Sequence, residues 1–275
     1  KNFFKSALGA IKTAFSAKCA GKSLSFLLKQ YGSTQKNGDS HLEIRENLLS
    51  HTMYIIYHMS MEMVKRAKTG LWIIGIDEVG RGPLAGPITL AVVAARVKNL
   101  ESGIRNLASL TGIKDSKKLS AIQREIWNKK IRGKFVYTIS SVRPRTIDKK
   151  GISYAAKLAI ARCIQKLNSI FQILDSKYLI VLDGGLFAPP EYKNQQTIIK
   201  GDEKVPIIAA ASIIAKVHRD RYMTRLAKKY PAYGFEKHKG YGTKMHCEMI
   251  KKYGLSEAHR ASFCKNLHYI DKMVQ

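Results

Sequence analysis

Cysteine is scarce in this chain, and its spacing argues against two common architectures. Cys19, Cys163, Cys247 and Cys264 are far apart in the 275 residues, and none belongs to a Cys-x-x-Cys pair. A zinc ribbon is therefore unsupported. A disulfide framework is untypical of a chain this long, whereas scattered reduced thiols are typical of the cytosol. The cysteines indicate a cytoplasmic protein.

Long apolar runs are also missing. No uninterrupted apolar stretch approaches the roughly 18 residues that a transmembrane helix needs. The basic N-terminal segment lacks a continuous apolar core followed by a small-residue cleavage site, so it does not match a secretory signal. The first residue is Lys1, which is consistent with a fragment or a trimmed form. We expect a monomer with no membrane partner.

Acidic residues are few relative to basic ones. Lys and Arg number 48 against 20 Asp and Glu, which gives a formal net charge of +28. Neutralising phosphates releases condensed counterions and drives binding, so a surplus of this size indicates a polyanionic partner. A ribosome-associated protein, attachment to a membrane surface and a lysine-biased genome are the alternatives. Lysine bias alone does not explain the basic residues around the acidic motifs described below.

Composition divides the chain into three parts. Residues 1–70 carry two amphipathic helical patterns separated by a polar loop, and the first 38 residues contain no Asp or Glu. This basic helical N-terminal extension is interpreted as a nucleic-acid grip, as a helical pair packed on the main domain, or as an organelle-targeting segment. Residues 71–264 form the main domain, and residues 265–275 form a C-terminal tail.

Residues 71–264 predict an α/β domain. Strands in early succession, followed by alternating strands and helices, favour a mixed β-sheet flanked by helices. Ligands of such sheets bind at the carboxyl ends of the strands. The isolated Trp72 and Trp127 are expected in the core. Strands are predicted over Leu71–Ile76, Ile88–Val97, Phe135–Val142 and Tyr178–Leu182, and helices over Ala121–Ile131, Ile152–Leu167, Ala209–Tyr230 and Thr243–Tyr253.

Four acidic residues lie at the ends of these elements. Asp77 and Glu78 end the first strand, Asp183 ends a later apolar strand, and Asp202 precedes a long apolar helix. Carboxylates at adjacent strand ends can converge, and Mg²⁺ prefers such oxygen ligands. Two ions about 4 Å apart would activate a water and stabilise a leaving oxygen. Neighbouring residues of a regular strand point to opposite faces, so Asp77 and Glu78 share a site only if the strand breaks there.

A glycine-lined arginine follows the acid pair. Gly80 and Gly82 favour the expected break in the strand, and their missing side chains let a bulky anion approach the backbone. Arg81 between them can meet a phosphate. The acids, a metal and this turn together predict phosphate-ester chemistry, and the alternative is a solvated strand end followed by a tight turn.

Two basic segments are candidates for substrate contact. Residues 237–244 interleave lysines and glycines with Tyr241, whose ring can stack on a base or a sugar; a packed tyrosine in a basic turn is the alternative. In residues 115–120 the lysines, including Lys117, can meet phosphate and Ser116 can cap a helix. Asp115 is more typical of a cap or a turn than of a metal ligand.

A charged segment on the long helix carries a rival catalytic acid. Asp220 can take a catalytic role, but an ion pair with a neighbouring base such as Lys216 or Arg221 on the helix surface is favoured. His218 has no partner in the sequence that would make it a general base.

Taken together, the motifs resemble those of type 2 ribonuclease H, the ribonuclease HII family. The resemblance covers about residues 71–264, with the motifs in family order and spacing. It implies a ribonuclease H-like fold and endonucleolytic hydrolysis of the RNA strand in RNA–DNA hybrids. It also implies nicking at single ribonucleotides in duplex DNA, which leaves 3′-hydroxyl and 5′-phosphate ends. The matching segments are residues 77–87 (Asp-Glu-Val-Gly-Arg-Gly-Pro-Leu-Ala-Gly-Pro), 115–120, 181–184, 200–217, 230–243 and 259–263.

The resemblance also implies roles for individual residues. The ligands of Mg²⁺ or Mn²⁺ would be Asp77, Glu78, Asp183 and Asp202. Two metal ions would be bound when the substrate is present. The ribose 2′-hydroxyl would be read by Gly80, Arg81 and Gly82, Tyr241 would stack on the sugar at the RNA-to-DNA junction, and Lys117, Ser212 and Lys216 would contact substrate.

Some features depart from the family pattern. The chain reads Gly151-Ile152-Ser153 where the family commonly begins a helix with an Asn-Ile-Leu-like sequence. The sister enzyme ribonuclease HIII is a less close match, because its glycine motif and N-terminal domain usually differ. A nucleic-acid-binding protein that kept the fold and lost catalysis is the rival from another class, and the presence of all four acids argues against it.

Overall fold

The computed structural model of the protein describes residues 71–97, 109–110, 112–113, 115–173 and 177–265. The helical extension expected over residues 1–70, and the predicted tail beyond residue 265, lie outside the described residues. Among the described helices, none has the length and apolar character that crossing a bilayer requires.

Within this part of the chain, five strands form one mixed sheet in the order β3-β2-β1-β4-β5. Antiparallel pairing joins β1 to β2 and β2 to β3, whereas parallel pairing joins β1 to β4 and β4 to β5. The predicted mixed sheet is therefore confirmed. The strands are β1 (Leu71–Val79), β2 (Ile88–Val97), β3 (Val136–Val142), β4 (Lys177–Asp183) and β5 (Gln195–Ile198).

Helices cover both faces of this sheet. Ser120 caps α1 through a reciprocal pair of hydrogen bonds with Gln123, so the cap that Ser116 could have supplied belongs to Ser120. In chain order the helices are α1 (Ala121–Lys134), α2 (Pro144–Lys150), α3 (Ile152–Phe171), α4 (Gly201–Lys204), α5 (Pro206–Lys229), α6 (Phe235–His238), α7 (Lys244–Tyr253) and α8 (Ala261–Cys264), with a 3₁₀ turn at Pro231–Tyr233.

Alternation along β1 supplies two apolar cores. Leu71 and Ile73 pack with α5, and Ile74 and Ile76 pack with α3 on the opposite face. A Cβ at Gly75 would lie 2.4 Å from the carbonyl oxygen of Ile207. Because nothing separates the two backbones there, α5 runs directly across the centre of β1 and carries its next turns towards the end of the strand.

Gly151, at the position where the family commonly has Asn, adopts a backbone conformation that favours glycine. The residue joins α2 to α3 with φ 85° and ψ 160°. This region of backbone space is essentially restricted to glycine. A side chain at this joint would strain the connection between the two helices.

Candidate active site

β1 and β4 end side by side at one edge of the sheet. Ile76 pairs with Leu182 in the parallel register, so Asp77 and Asp183 follow at adjacent strand ends. The carboxyl ends of parallel strands are where α/β proteins place their ligands. The structure thus brings together two acids that are more than a hundred residues apart in sequence.

Asp77 is the most deeply buried of the four predicted acids. Its side chain is on the α5 side of β1, 4% exposed, and its Oδ1 accepts the backbone N–H of Glu78 at 2.7 Å. Burial raises the pKa of Asp77 well above its usual range, the negative charges of Glu78 and Asp183 add to this, and a hydrogen bond from Ser212 opposes it. Ser212 is itself buried and contacts the Ser116 hydroxyl at 2.8 Å, so it supports Asp77 from within the core.

The Cβ of Glu78 lies on the opposite face of β1 from that of Asp77, but the negative charge of Glu78 still raises the pKa of both Asp77 and Asp183, so its carboxylate lies near theirs. The strand does not break after Ile76: pairing with β2 continues through Asp77, Glu78 and Val79, so the expected break is wrong. Antiparallel pairing to β2 holds this segment extended after pairing to β4 has ended. Oε1 of Glu78 pairs with Nε of Arg81 at 2.6 Å, while Oε2 is buried and receives no hydrogen bond from the described residues.

Asp183 and Asp202 are joined by a turn between β5 and α4. Oδ1 of Asp183 accepts the N–H of Gly201 at 2.6 Å and that of Asp202 at 3.4 Å. Lys200 enters this turn in the left-handed conformation, with φ 55°. Burial raises the pKa of Asp183 and of Asp202, and each also feels the charge of a neighbouring carboxylate. The backbone therefore fixes the direction of the Asp183 side chain.

The segment of residues 115–120 packs on the same turn. Nζ of Lys117 lies 3.5 Å from Oδ2 of Asp202, and 79% of the Lys117 side chain is exposed. Lys118 pairs with Glu203 at 3.0 Å. Asp115 accepts the N–H of Lys117 at 2.9 Å, so it has the predicted turn role. An exposed ammonium thus lies at the border of the acid cluster.

The donor chemistry of this cluster fits a hard divalent cation. Burial and the negative charges of neighbouring carboxylates raise the pKa of Asp77, Asp183 and Asp202, and one buried carboxylate oxygen, Oε2 of Glu78, receives no hydrogen bond from the described residues. A divalent cation satisfies such oxygens and removes their repulsion. As the side chains stand, no three His, Cys, Asp or Glu residues among those described are grouped closely enough to hold one ion. Coordination by three of the acids therefore requires a change of side-chain rotamer.

The glycines after β1 serve different purposes. Gly80 and Gly86 have φ of 92° and 83°, and a Cβ on either would lie 2.4 Å from a side-chain atom of Arg219 or Met223, respectively. At Gly82 no atom lies within 4 Å of the Cβ position. Gly80 and Gly86 thus make room for the protein's own interior, whereas Gly82 leaves open space on the exposed side of the turn.

Two buried arginines behind this turn were missed by sequence reasoning. Arg219 and Arg260 are each 0% exposed, and both donate hydrogen bonds to carbonyls of residues 80–87. Arg219 lies within the predicted helix Ala209–Tyr230, and Arg260 lies within the family-like segment of residues 259–263. An arginine in a basic chain gives no local signal of burial, because its partners here are main-chain carbonyls far away in sequence.

Tyr241 lies next to the glycine turn with its side chain 43% exposed. Its ring centroid is 5.9 Å from Cζ of Arg219. The N–H groups of Leu84 and Ala85 donate to the carbonyl of Gly240 at 2.8 and 3.2 Å. The Tyr241 segment (residues 237–244) and the glycine turn (residues 80–87) therefore form one continuous surface.

A chain of neutral imidazoles supports Tyr241 from below. Nδ1 of His246 lies 2.8 Å from the carbonyl of Tyr241, which only accepts, so His246 carries its proton on Nδ1. Its Nε2 then accepts from Nε2 of His259 at 3.1 Å, and Nδ1 of His259 accepts from the N–H of Ser256 at 2.9 Å. Burial lowers the pKa of both imidazoles to about 4. Protonating either one would place two N–H groups face to face.

Two further residues that the sequence singled out, Lys216 and His218, lie on α5 beyond Ser212. Lys216 pairs with Asp220 at 2.9 Å along α5, which is the ion pair that the spacing favoured, although the two side chains are mostly buried and do not lie on the open surface. His218 lines a cleft of about 1200 Å³ on the other side of the glycine turn. The cleft is also lined by cationic side chains, namely Arg143, Arg145, Lys149 and Lys229. Phosphate groups would find positive charge on both sides of the turn.

Comparison with known proteins gives a consistent assignment. The family model for ribonuclease HII matches residues 74–267. Ribonuclease HII of Caldicellulosiruptor bescii is 44% identical over 197 residues, which make up 71% of this chain and 88% of that protein.

Solved structures share the fold. The crystal structure of ribonuclease H2 from Pyrococcus horikoshii OT3 has a TM-score of 0.55 and 28% sequence identity, and the match covers 73% of this chain and 99% of that chain. Bst-RNase HIII in complex with Mn²⁺ has a TM-score of 0.55 at 20% identity, with coverage of 77% and 73%, and is similar in fold. On the family-model match and the identity to its relatives, this chain belongs to the ribonuclease HII family of enzymes.

Proposed function

We propose that this enzyme hydrolyses the RNA strand of RNA–DNA hybrids and nicks duplex DNA at single embedded ribonucleotides. The products would carry 3′-hydroxyl and 5′-phosphate ends. The observation that carries the proposal is the position of the acids at the ends of β1 and β4, directly beside a glycine turn with an open outer side at Gly82. Carboxylates supply metal ligands, and an open backbone turn lets a ribose approach closely.

Asp77, Glu78, Asp183 and Asp202 are the proposed ligands of Mg²⁺ or Mn²⁺. Oε1 of Glu78 is occupied by Arg81, and its buried Oε2 has no donor among the described residues. Glu78 can therefore offer one oxygen to a cation and keep its ion pair. The metal of Bst-RNase HIII, which shares the fold, is Mn²⁺. When bound, divalent ions activate a water and stabilise the leaving oxygen of an in-line displacement.

The remaining residues bind and orient the substrate. Lys117, largely exposed beside Asp202, supplies positive charge for a phosphate next to the acids. Arg81 and Gly82 are exposed on the turn, and in our proposal their backbone groups meet the ribose 2′-hydroxyl, the group that distinguishes RNA from DNA. The half-exposed ring of Tyr241 would stack on the adjoining sugar. We propose roles for Ser212 in supporting Asp77 and for Lys216 at the border of the site.

Asp183→Asn tests the metal role directly. The amide keeps the size of the side chain and its acceptor oxygen for the turn, but removes the negative charge that a cation needs. We expect nicking of a duplex with one ribonucleotide to be lost with Mg²⁺ or Mn²⁺, while binding to the hybrid is largely retained.

Asp220→Asn is the matched control, because Asp220 is the rival acid and pairs with Lys216 on α5. Its nicking rate should stay near that of the wild type. Full activity in Asp183→Asn would remove Asp183 from the site. A wild-type protein that binds the duplex but never nicks it would favour a binding protein that had lost catalysis. A stronger preference for a long uniform hybrid than for a lone ribonucleotide would indicate HIII-like specificity.

A further inference from the structure

Arg219 makes three hydrogen bonds that join two segments of the proposed substrate surface. Its Nε donates to the carbonyl of Pro87 at 3.0 Å, its Nη2 to that of Ala85 at 3.1 Å and its Nη1 to that of Lys239 at 3.0 Å. Two of these carbonyls belong to the loop after β1, and the third lies two residues before Tyr241. One guanidinium therefore connects the glycine turn to the Tyr241 segment.

Arg260 holds the other half of the turn. Its Nη2 donates to the carbonyl of Gly80 at 2.6 Å, its Nη1 to that of Arg81 at 2.8 Å and its Nε to that of Gly86 at 2.9 Å. Five of the six carbonyls bound by the two arginines therefore lie within residues 80–87.

The two guanidiniums are buried and bind neutral main-chain carbonyls. Among the described residues, neither Arg219 nor Arg260 forms an ion pair with Asp or Glu, and both are fully buried. Burying an unpaired charge is costly. Burial and the neighbouring Arg219 lower the pKa of Arg260 to about 9, so it remains charged at neutral pH. A guanidinium presents five N–H donors in a rigid planar fork, and here each fork reaches three separate carbonyls, which accounts for arginine here in place of an apolar residue.

The hydrogen bonds also determine which side of the turn faces outward. Because the carbonyls of Gly80 and Arg81 point inward to Arg260, the turn presents Arg81 and Gly82 to solvent. The backbone N–H groups of Arg81 and Gly82 donate no hydrogen bond to any described residue. These donors are on the side where the space beside Gly82 is open.

We propose that Arg219 and Arg260 are positioning residues that hold the glycine turn and the Tyr241 segment as one ribose-sensing unit. Neither side chain touches the substrate in this proposal, which rests on the proposed function. Selection of a ribonucleotide over a deoxyribonucleotide requires the two segments to keep a fixed position relative to each other. The hydrogen bonds of the two arginines fix that position.

Arg260→Lys and Arg219→Lys test the proposal, because lysine keeps the charge but loses the planar fork. The kcat/KM for a duplex with one ribonucleotide should fall by roughly 100-fold, the typical effect of misplacing a binding group by about 1 Å. Affinity for an all-DNA duplex of the same sequence should stay within about 3-fold, since phosphate attraction depends mainly on charge. Arg132→Lys is the control, because Arg132 in the last turn of α1 donates to Asn128 of the same helix and to Tyr137 of β3, and it should change neither value.

A second measurement separates positioning from a general loss of stability. In ¹⁵N amide spectra of the two lysine variants, resonances of residues 80–82 and 240–242 should shift together, while those of β4 should not. Unchanged resonances at residues 80–82, or an unchanged preference for the ribonucleotide duplex, would overturn the proposal. Failure of the wild type to nick at all would instead overturn the proposed function, so the two failures are distinguishable.

Discussion

Alanine at Gly80 and alanine at Gly82 are expected to have opposite consequences. At Gly80 the new Cβ would lie 2.4 Å from Nε of Arg219 and 2.9 Å from the carbonyl oxygen of Pro87, on a backbone with φ 92°. At Gly82 no atom lies within 4 Å, and φ is outside the left-handed region. Gly80→Ala should therefore damage the fold, whereas Gly82→Ala should leave the fold intact and place a methyl group where the ribose is proposed to approach.

The magnitudes follow from these contacts. A left-handed backbone costs a non-glycine residue roughly 1–2 kcal/mol, and overpacking a closed site costs roughly 1–3 kcal/mol. The free energy of unfolding of Gly80→Ala should thus fall by about 2–5 kcal/mol. For a domain of this size the corresponding fall in Tm is roughly 4–20 °C. Gly82→Ala should be neutral or stabilising by up to about 1 kcal/mol, because alanine restricts the unfolded chain.

Thermal unfolding and nicking of a one-ribonucleotide duplex together test the different roles of Gly80 and Gly82. Gly133→Ala is the control, since Gly133 is in α1 and also has open space around its Cβ position; it should gain about 0.5–1 kcal/mol and nick normally. Gly82→Ala should have a Tm equal to or slightly above that of the wild type and lose most of its nicking. Wild-type kcat/KM in Gly82→Ala would refute close approach of substrate at this turn, and an unchanged Tm in Gly80→Ala would refute the packing account.

Three further outcomes are expected. Tyr241→Ala should weaken discrimination for a lone ribonucleotide more than duplex binding, and equal losses in the two affinities would contradict stacking. His246 and His259 have pKa values lowered to about 4 in the folded protein, so as the pH falls the unfolded chain takes up protons before the folded one does. The free energy of unfolding should therefore be highest above about pH 6.5 and should fall towards pH 4 by up to about 1.4 kcal/mol per pH unit for each imidazole. Chemical denaturation at a series of pH values would measure this decrease. The logarithm of the hybrid-binding constant should fall with the logarithm of the salt concentration, with a slope near −0.9 per phosphate contact. A binding constant that does not change with salt would show that the net charge of +28 does not serve to bind the phosphates of the hybrid.

The central elements could be predicted because their signals are local. β1, β2 and β4 are apolar runs that the structure buries on both faces, and such runs identify central strands of a sheet. The ion pair of Lys216 with Asp220 follows from helical spacing alone. These features depend on residues close together in sequence, so one chain without relatives was sufficient to predict them.

Other elements have no comparable local signal. β5 reads Gln-Gln-Thr-Ile and is only four residues long, and α4 is a single turn. Both are stabilised by neighbours: β5 by pairing with β4, and α4 by its contact with α5. The extension of β1 to Val79 likewise depends on pairing with β2. Tertiary contacts therefore determine the short elements that the sequence did not predict, as is common for short strands and helices.

Within the candidate site, sequence could suggest the acids but not their surroundings. Asp77 and Asp183 end apolar runs, which is a pattern visible in the chain. The burial of Ser212 beneath Asp77 and the turn of Glu78 towards Arg81 depend on packing. Arg219 and Arg260 bond carbonyls 132 to 180 residues away in the loop after β1, and no periodicity or spacing reveals such partners.

The long separation between Arg260 and Gly80 also bears on when an enzyme of this kind becomes competent during its synthesis. A ribosome makes β1, β4 and all four acids before it reaches residue 260. A nascent or truncated chain that stops before residue 260 would have the acid cluster and Arg219, but would lack the three hydrogen bonds by which Arg260 holds the turn. Selectivity for ribonucleotides would therefore be acquired in the last steps of translation of the domain, after the residues that attract metal are already in place.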